Sequence, residues 1–431
     1  MIKLIYGFGI GLSIAATAAS VPAPPTYSKD VAAIMQARCQ GCHRPGEAAP
    51  MSFGSYKEVR PWAKAIKQAV ALKKMPPWFA DTQVGHFRND TSATKAEADT
   101  ILAWVDAGAP EGDPKDLPPA REFVTGWNIG QPEMVLEMPQ AFDVPASGTV
   151  DYQYVILPYK FEKDTWVQAS EVRPGARSVV HHVIAFIREP GSKWGRDKEP
   201  GVPFVPDKNA NGERQSISGD MLAGFAPGVP AQALEPGRGR LIKAGSDVVF
   251  QLHYTTNGKP QKDLTKVGLI FCKEPPAQRV MAMGASNRRF TIPPGDPNYR
   301  VDAEFEFGHE ATISALLPHM HLRGKDFEFR VVYPNGETST ILRVPNYDFN
   351  WQFWYTPAEE LVLPKGAKIS CTAHYDNSVN NPNNPDPTVA VKWGDQSWEE
   401  MMIGFFDVVF DAKMDPKLLV PEKKKPTTSA E

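Results

Sequence analysis

Cysteine is scarce in this chain: there are four in 431 residues. Two of them, Cys39 and Cys42, fall within five positions, which leaves at most one disulfide, between Cys272 and Cys371. Long apolar runs are missing too. No stretch beyond the N-terminal segment reaches the ~18 uncharged apolar residues that a transmembrane helix needs, so no stable membrane span is expected. Charge of one sign is also lacking, because 47 Lys and Arg stand against 50 Asp and Glu for a net −3. Without a basic excess there is no electrostatic basis for nucleic-acid binding. Histidine is rare at nine residues, and no short-period repeat is present.

What is there is a hydrophobic fraction of 42%, typical of a globular protein, in a chain too long for one ordinary core. Residues 1–20 read as a signal peptide: a basic start at Met1 to Lys3, an apolar stretch from Leu4 to Ala16, and small residues for cleavage at Ala16 to Ser20. A periplasmic or secreted location follows. Residues 21–112 have helical texture, with candidate helices at Asp30 to Gln40, Tyr56 to Lys73 and Thr94 to Ala107, the last opened by a Thr94/Glu97 capping box and closed at Gly108. They predict a small all-α domain. Residues 113–130 are proline-rich and read as a linker. Beyond them the pattern is β, with strands expected at Tyr152 to Leu157, Val179 to Ile187, Asp247 to Thr255, Ala311 to Leu317, Phe327 to Tyr333 and Ile403 to Phe410. Residues 416–431 read as a disordered tail.

Cys39-Gln40-Gly41-Cys42-His43 has the C-x-x-C-H order of c-type haem attachment. Two thiols add to the haem vinyl groups while the adjacent imidazole takes an axial position on iron. The alternative, ordinary cysteines beside a surface histidine, leaves the clustering unexplained. For the sixth ligand Met75, in Lys74-Met75-Pro76-Pro77, is the first candidate. His86 competes with it, and an iron left five-coordinate is the third reading, with Met75 as plain core.

The β region holds five of the nine histidines in three runs. His181 and His182 interrupt an otherwise apolar strand, and burying both without partners would cost several kcal/mol. In Val248 to Thr255, alternation puts Phe250, Leu252 and Tyr254 on one face and Gln251, His253 and Thr255 on the other. His319-Met320-His321 places two imidazoles on one face of an extended strand, where they can share a metal, with Met320 turned toward the core. Taken singly, a strand histidine is more often structural than a ligand. Imidazoles suit Zn, Cu, Fe or Ni, whereas a thioether from Glu399-Glu400-Met401-Met402 would tilt the choice toward copper. Either methionine is otherwise core filler.

The ordered series His181-His182, His253 within Leu-His-Tyr, His319-x-His321 and Met401 after two acids resembles the copper type II, ascorbate-dependent monooxygenases over about residues 131–411. The resemblance implies two successive antiparallel jelly-roll domains, 131–275 and 276–415, with one copper each, facing a solvent cleft. It also implies that His181, His182 and His253 hold the electron-storing copper, and that His319, His321 and Met401 hold the copper that binds oxygen. Met402 is the weaker candidate because the family's methionine directly follows the acid. With the region before it resembling a class I-type cytochrome c, the expected architecture is multidomain: a small all-α cytochrome c domain followed by two all-β jelly-roll sandwiches.

The departures point to a different substrate. Where peptidylglycine-acting members have an Arg that binds the substrate carboxylate, this chain has Leu317, and where they have an assisting Tyr it has Phe405. An apolar or differently anchored small organic substrate fits better. His309 and His374 match no ligand position. Cys272 and Cys371 are read equally as a disulfide or as buried thiols. The reading is then an enzyme with two copper ions and one covalent haem c, using O2 and a periplasmic electron donor, either an ascorbate-like reductant or a redox protein. Two other readings stay open at this level: a non-catalytic copper-binding and electron-transfer protein, and a haem peroxidase with a β accessory module.

Overall fold

The computed structural model describes residues 23–422 apart from 48, 210–213, 216, 218 and 228–230, so the leader-like segment 1–20 and residues 423–431 lie outside the described residues. The alternating runs form strands close to where the pattern places them: Gln153–Ile156, Val180–Arg188, Asp247–Tyr254, Ala311–His319, Gly324–Val332 and Ile403–Asp411. Their pairing is antiparallel, as short connections and one-sided apolar faces favour.

Two four-stranded sheets lie one in each half of the β region. The first runs Gln153–Ile156, Asp247–Tyr254, Val180–Arg188, Asp220–Phe225, and the second Tyr299–Glu306, Lys368–Tyr375, Gly324–Val332, Thr338–Val344. Each half has its own apolar core, built around Val183, Phe250 and Leu252 in one and around Phe327, Phe329 and Phe406 in the other.

Two elements of the expected architecture are overturned. An all-α cytochrome domain does not form, and the chain is mostly β. Its helical residues are broken into short pieces at Tyr27–Val31, Ala32–Ile34, Met35–Cys39, Tyr56–Val59, Arg60–Trp62 and Ala63–Ala71, and the longest helix, Lys95–Asp106, has 12 residues. The Thr94/Glu97 capping box is present there. Between these pieces 40–55 and 72–94 are irregular. Trp78 and Ala80, instead of completing a helical core, are buried in the core of the C-terminal β half, and the Phe87 ring lies 5.5 Å from Tyr355. Prolines 76 and 77 forbid helix there, so the aromatic residues that follow find burial against the sheet.

Nor are the two β halves separate sandwiches. A single nine-stranded sheet runs through both, and it crosses from Arg238–Ile242 to Gln278–Ser286 by a short parallel pairing, Gln278 with Arg238 and Arg279 with Gly239. The tail expectation also changes. Pro416–Leu419 is a 3-10 turn, with Leu419 buried and its carbonyl accepting from Gly308 N at 2.9 Å. Among the described residues no helix is long and apolar enough to cross a membrane.

Near the crossing lies a buried ion cluster. Arg240 donates to Asp407 at 2.6 Å and stands 3.7 Å from Asp220, whose other contact is the Ala282 N–H at 2.9 Å. Breaking one partner of such a pair typically costs ~3–5 kcal/mol because it strands a buried charge. Burial pushes the Asp220 carboxyl up to about 6 against the pull of Arg240. Folding therefore favours its protonated form, and that contribution, full below the ordinary carboxyl range, is lost as pH rises through about 6. Asp220→Asn keeps an oxygen for Ala282. Its thermal midpoint is expected to match the parent's below about pH 4 and to exceed it near pH 7.5 by scanning calorimetry; a lower midpoint near pH 7.5 would show that the ionised carboxylate is the stabilising form.

Candidate metal centre

The first site arises from register. In the strand pair Val180–Arg188 and Asp247–Tyr254, Val180 pairs with Tyr254 and His182 with His253, which leaves His181 as an extra residue. This bulge is what lets two adjacent side chains leave the strand toward the same site, where regular pleating would send them to opposite faces. Phe250, Leu252 and Tyr254 enter the core as the alternation predicts, and His253 takes the other face. His181 Nδ1 lies 3.2 Å from His182 Nδ1 and 3.2 Å from His253 Nδ1. The three ligand atoms fall within 4.8 Å of one another, so the cluster can hold a metal ion.

Burial decides the charge of these rings. His181 is held down to about 4 by desolvation, and His182 and His253 lie well below the ordinary range for the same reason, with neighbouring imidazoles adding to it. At neutral pH all three are uncharged and keep a lone pair for a cation. His253 Nε2 meets Ser397 Oγ at 3.2 Å, and Tyr152 packs on both His253 and His182, with centroids at 4.5 and 5.4 Å.

The second pair sits across the seam. His319 ends its strand, His321 follows it, and Met320 between them is fully buried in the core, as the H-x-H spacing predicts. The rings are 5.2 Å apart and nearly perpendicular. Desolvation holds His319 to about 4 and His321 to about 3. His319 Nδ1 is engaged by Gln352 Oε1 at 2.7 Å and His321 Nδ1 by the Glu399 carbonyl at 3.2 Å, while His321 Nε2 is buried with no hydrogen-bond partner among the described residues. Nitrogens oriented this way, with the outer one bonded and the inner one free, are the usual form of imidazole ligands.

Met401 and Met402 are now distinguished. Met402 is fully buried in the C-terminal core, whereas Met401 is half-buried outside it, its carbonyl accepting from Tyr375 Oη at 2.7 Å. The register that pairs Leu317 with Phe405 and His319 with Ile403 ends two residues from position 401, at the point where His321 follows His319. Glu400 locks this junction. Its buried carboxylate accepts from His321 N at 2.9 Å and Arg323 N at 2.7 Å, and desolvation raises it to about 8.

The C-x-x-C-H segment lines an apolar cavity of about 510 Å³ whose wall includes Cys39, Cys42, His43, Met75 and, from the β region, His181. His43 stacks on Phe53 at 4.2 Å and points Nδ1 at the Met51 carbonyl at 3.2 Å. The Cys39 thiol is pushed up to about 12 by burial, unlike that of a reactive dithiol. His86 is exposed and lies off the cavity. Cys272 and Cys371 are both free thiols. His374 pairs with Asp326 at 2.7 Å and His309 is exposed, so neither joins a site.

Sequence reasoning missed Phe349, Gln352, Ser397 and Tyr152. Phe349 packs on His181, His253 and His321, and Gln352 holds His319. No periodicity marks them, because they lie on irregular segments whose position depends on the fold; an aromatic-rich stretch, Phe349 to Trp354, was the one available signal.

No protein-family profile matches the chain, and no curated protein matches it. Among solved structures, similarity is found to the infectious bursal disease virus VP2 subviral particle, with 10% identity, 67% of this chain and 75% of that chain covered and a TM-score of 0.19. PNGF-II shows 10% identity, 64% and 66% coverage and a TM-score of 0.25. Likenesses this loose carry no argument about this protein.

Replacing Gln352 with Ala removes the partner that orients His319. Metal affinity at the His319/His321 pair is expected to fall ~10–100-fold in a copper titration while the His181 cluster keeps its affinity. Equal affinity of parent and variant at both sites would show that Gln352 does not orient the ligand.

Proposed function

We propose that this chain is an exported copper-dependent monooxygenase that hydroxylates a C–H bond of a small organic substrate with O2, supplied with electrons by a c-type haem attached through Cys39 and Cys42. One residue carries the reading: His181 belongs to the imidazole cluster and also to the wall of the cavity that holds the C-x-x-C-H motif. Overall, R–H, O2, two electrons and two protons give R–OH and water, so an electron source must reach the metal sites.

The donor sets fit these groups. Three convergent neutral imidazole nitrogens in one site suit copper in both oxidation states, and so would two imidazoles joined by the Met401 thioether in the other. For a haem, the paired thiols of Cys39 and Cys42 would attach it covalently, and His43, whose Nδ1 is engaged by the Met51 carbonyl, and Met75 on the same cavity wall would be its candidate iron ligands. When bound, copper supplies one-electron storage and oxygen activation, and the haem supplies electrons.

The protein's own contributions are positional. Glu400 and Gln352 hold His321 and His319, and burial excludes water from the imidazoles. Leu317 pairs in register with Phe405, and Leu317 lines a small cavity of about 50 Å³ with His182, Gln352 and Trp354. The two positions where carboxylate-binding members of the resembled family carry polar groups are therefore adjacent and apolar, which favours an apolar reacting group. The haem-motif region is fastened to the β region and to the linker. Arg177 pairs with Glu47, Gln36 donates to the Pro119 carbonyl at 3.0 Å, and Arg121 donates to the Gln36 carbonyl at 2.6 Å. These ties support transfer from a docked haem over a swinging carrier.

The test is metal analysis and oxygen uptake of purified, haem-loaded protein with an added reductant. The expected result is one haem and two coppers per chain, with uptake lost in Met401→Ile although its haem spectrum is intact. One copper, or copper inert to oxygen, would assign a copper-binding and electron-transfer role instead, and no copper would overturn the copper reading altogether. Unchanged turnover in Met401→Ile would remove Met401 from the site.

A further inference from the structure

The two imidazole sets lie close enough for His182 to feel His319 and His321 electrostatically, and one aromatic side chain packs against members of both. Among the described residues no ring of the His181, His182, His253 cluster makes a ring contact with His319 or His321. The ring of Phe349 touches both: it is stacked on His181 at 4.8 Å and meets His321 edge-on at 5.8 Å, with His253 also at 5.8 Å. It is buried, at 7% exposure.

The backbone around this ring is tied down. Asn350 N donates to the Asp348 carboxylate at 2.9 Å, Trp351 N to the Asp348 carbonyl at 2.9 Å, and the Gln352 amide to the Phe349 carbonyl at 3.3 Å. The oxygen of that same amide holds His319. A short segment therefore fixes a ring between the two sets and at the same time positions one member of the second set.

We infer that Phe349 is a positioning residue, a wedge that sets the separation of the two metal sites. The inference rests on the two-site reading proposed above. A close-packed interior resists closure where a rigid group is wedged, and this ring is packed against His181 and His253 on one side and His321 on the other. Removing its volume allows the sets to approach, and enlarging it pushes them apart. Simple core filling would change stability without a graded change in separation.

The experiment is pulsed electron paramagnetic resonance on the full-length chain loaded with Cu(II), in the series Phe349→Trp, parent, Phe349→Leu and Phe349→Ala, with copper counted in each sample. The expected result is a copper–copper dipolar frequency that rises as the side chain shrinks and falls for Phe349→Trp, at constant copper content. If Phe349→Ala loses copper or fails to fold, Phe349→Leu decides, because it keeps most of the bulk and is still expected to show a higher frequency than the parent. Two bound coppers with the same frequency across the series would overturn the wedge while leaving the metal sites standing. A parent that binds fewer than two coppers would overturn the two-site reading and the wedge with it.

Discussion

Five imidazoles, four buried and His181 partly so, are gathered where the two β halves meet, and the cost of burying them shapes what surrounds them. An imidazole deprived of water loses its charge, and each ring nitrogen then needs a donor, an acceptor or a cation. In this protein the outer nitrogens of the second pair are engaged by Gln352 and by the Glu399 carbonyl, and His253 is met by Ser397. The three Nδ1 atoms of the first cluster have chiefly one another. Each neutral ring carries one N–H and one lone pair, and rings held this close can turn their lone pairs toward one point, which is the arrangement a metal ion requires. Tyr152, Phe349 and the 396–400 segment are placed where they are because this polar island has to be enclosed.

The shared sheet makes the enclosure possible. Were the two β halves independent, their relative position would rest on side-chain contacts alone. The pairing of Arg238–Ile242 with Gln278–Ser286 instead makes the junction part of a backbone hydrogen-bonded layer, with the buried Arg240–Asp407 ion pair beside it. The C-terminal half can then reach back, through Gln396 and Ser397, to Tyr152 and His253. The haem-motif region joins the same assembly. Trp78 and Ala80 are buried in the C-terminal core, and Arg177 reaches Glu47, so the cavity of the motif is closed partly by the strand that carries His181. The proposed route from haem to copper depends on this arrangement.

The strands were legible in the sequence because a strand with one buried face alternates, and that alternation is a local property. Phe250, Leu252 and Tyr254 against His253 is one instance, and the burial of Met320 between His319 and His321 is another. The Thr94/Glu97 cap was legible for a similar reason, since both partners lie within one helical turn. The all-α domain was misread because helical periodicity in 30–40 and 94–107 says nothing about where Trp78, Ala80 and Phe87 are buried. The two-sandwich expectation missed the shared sheet because the crossing rests on two residue pairs with no sequence mark.

The candidate site divides in the same way. By itself the sequence determined the candidate residues and their order: the C-x-x-C-H motif, the paired and spaced histidines, and a methionine after acids, since covalent attachment and metal coordination would demand particular atoms at short spacings. Only the tertiary structure decided that a bulge turns His181 to the same side as His182, that Met402 is core and Met401 is not, that Phe349 stands between the two imidazole sets, and that His181 also faces the cavity of Cys39 and Cys42. Those facts depend on register and on packing between segments from a few tens to well over a hundred residues apart, and such long-range contacts are set by the balance of burial over the whole chain.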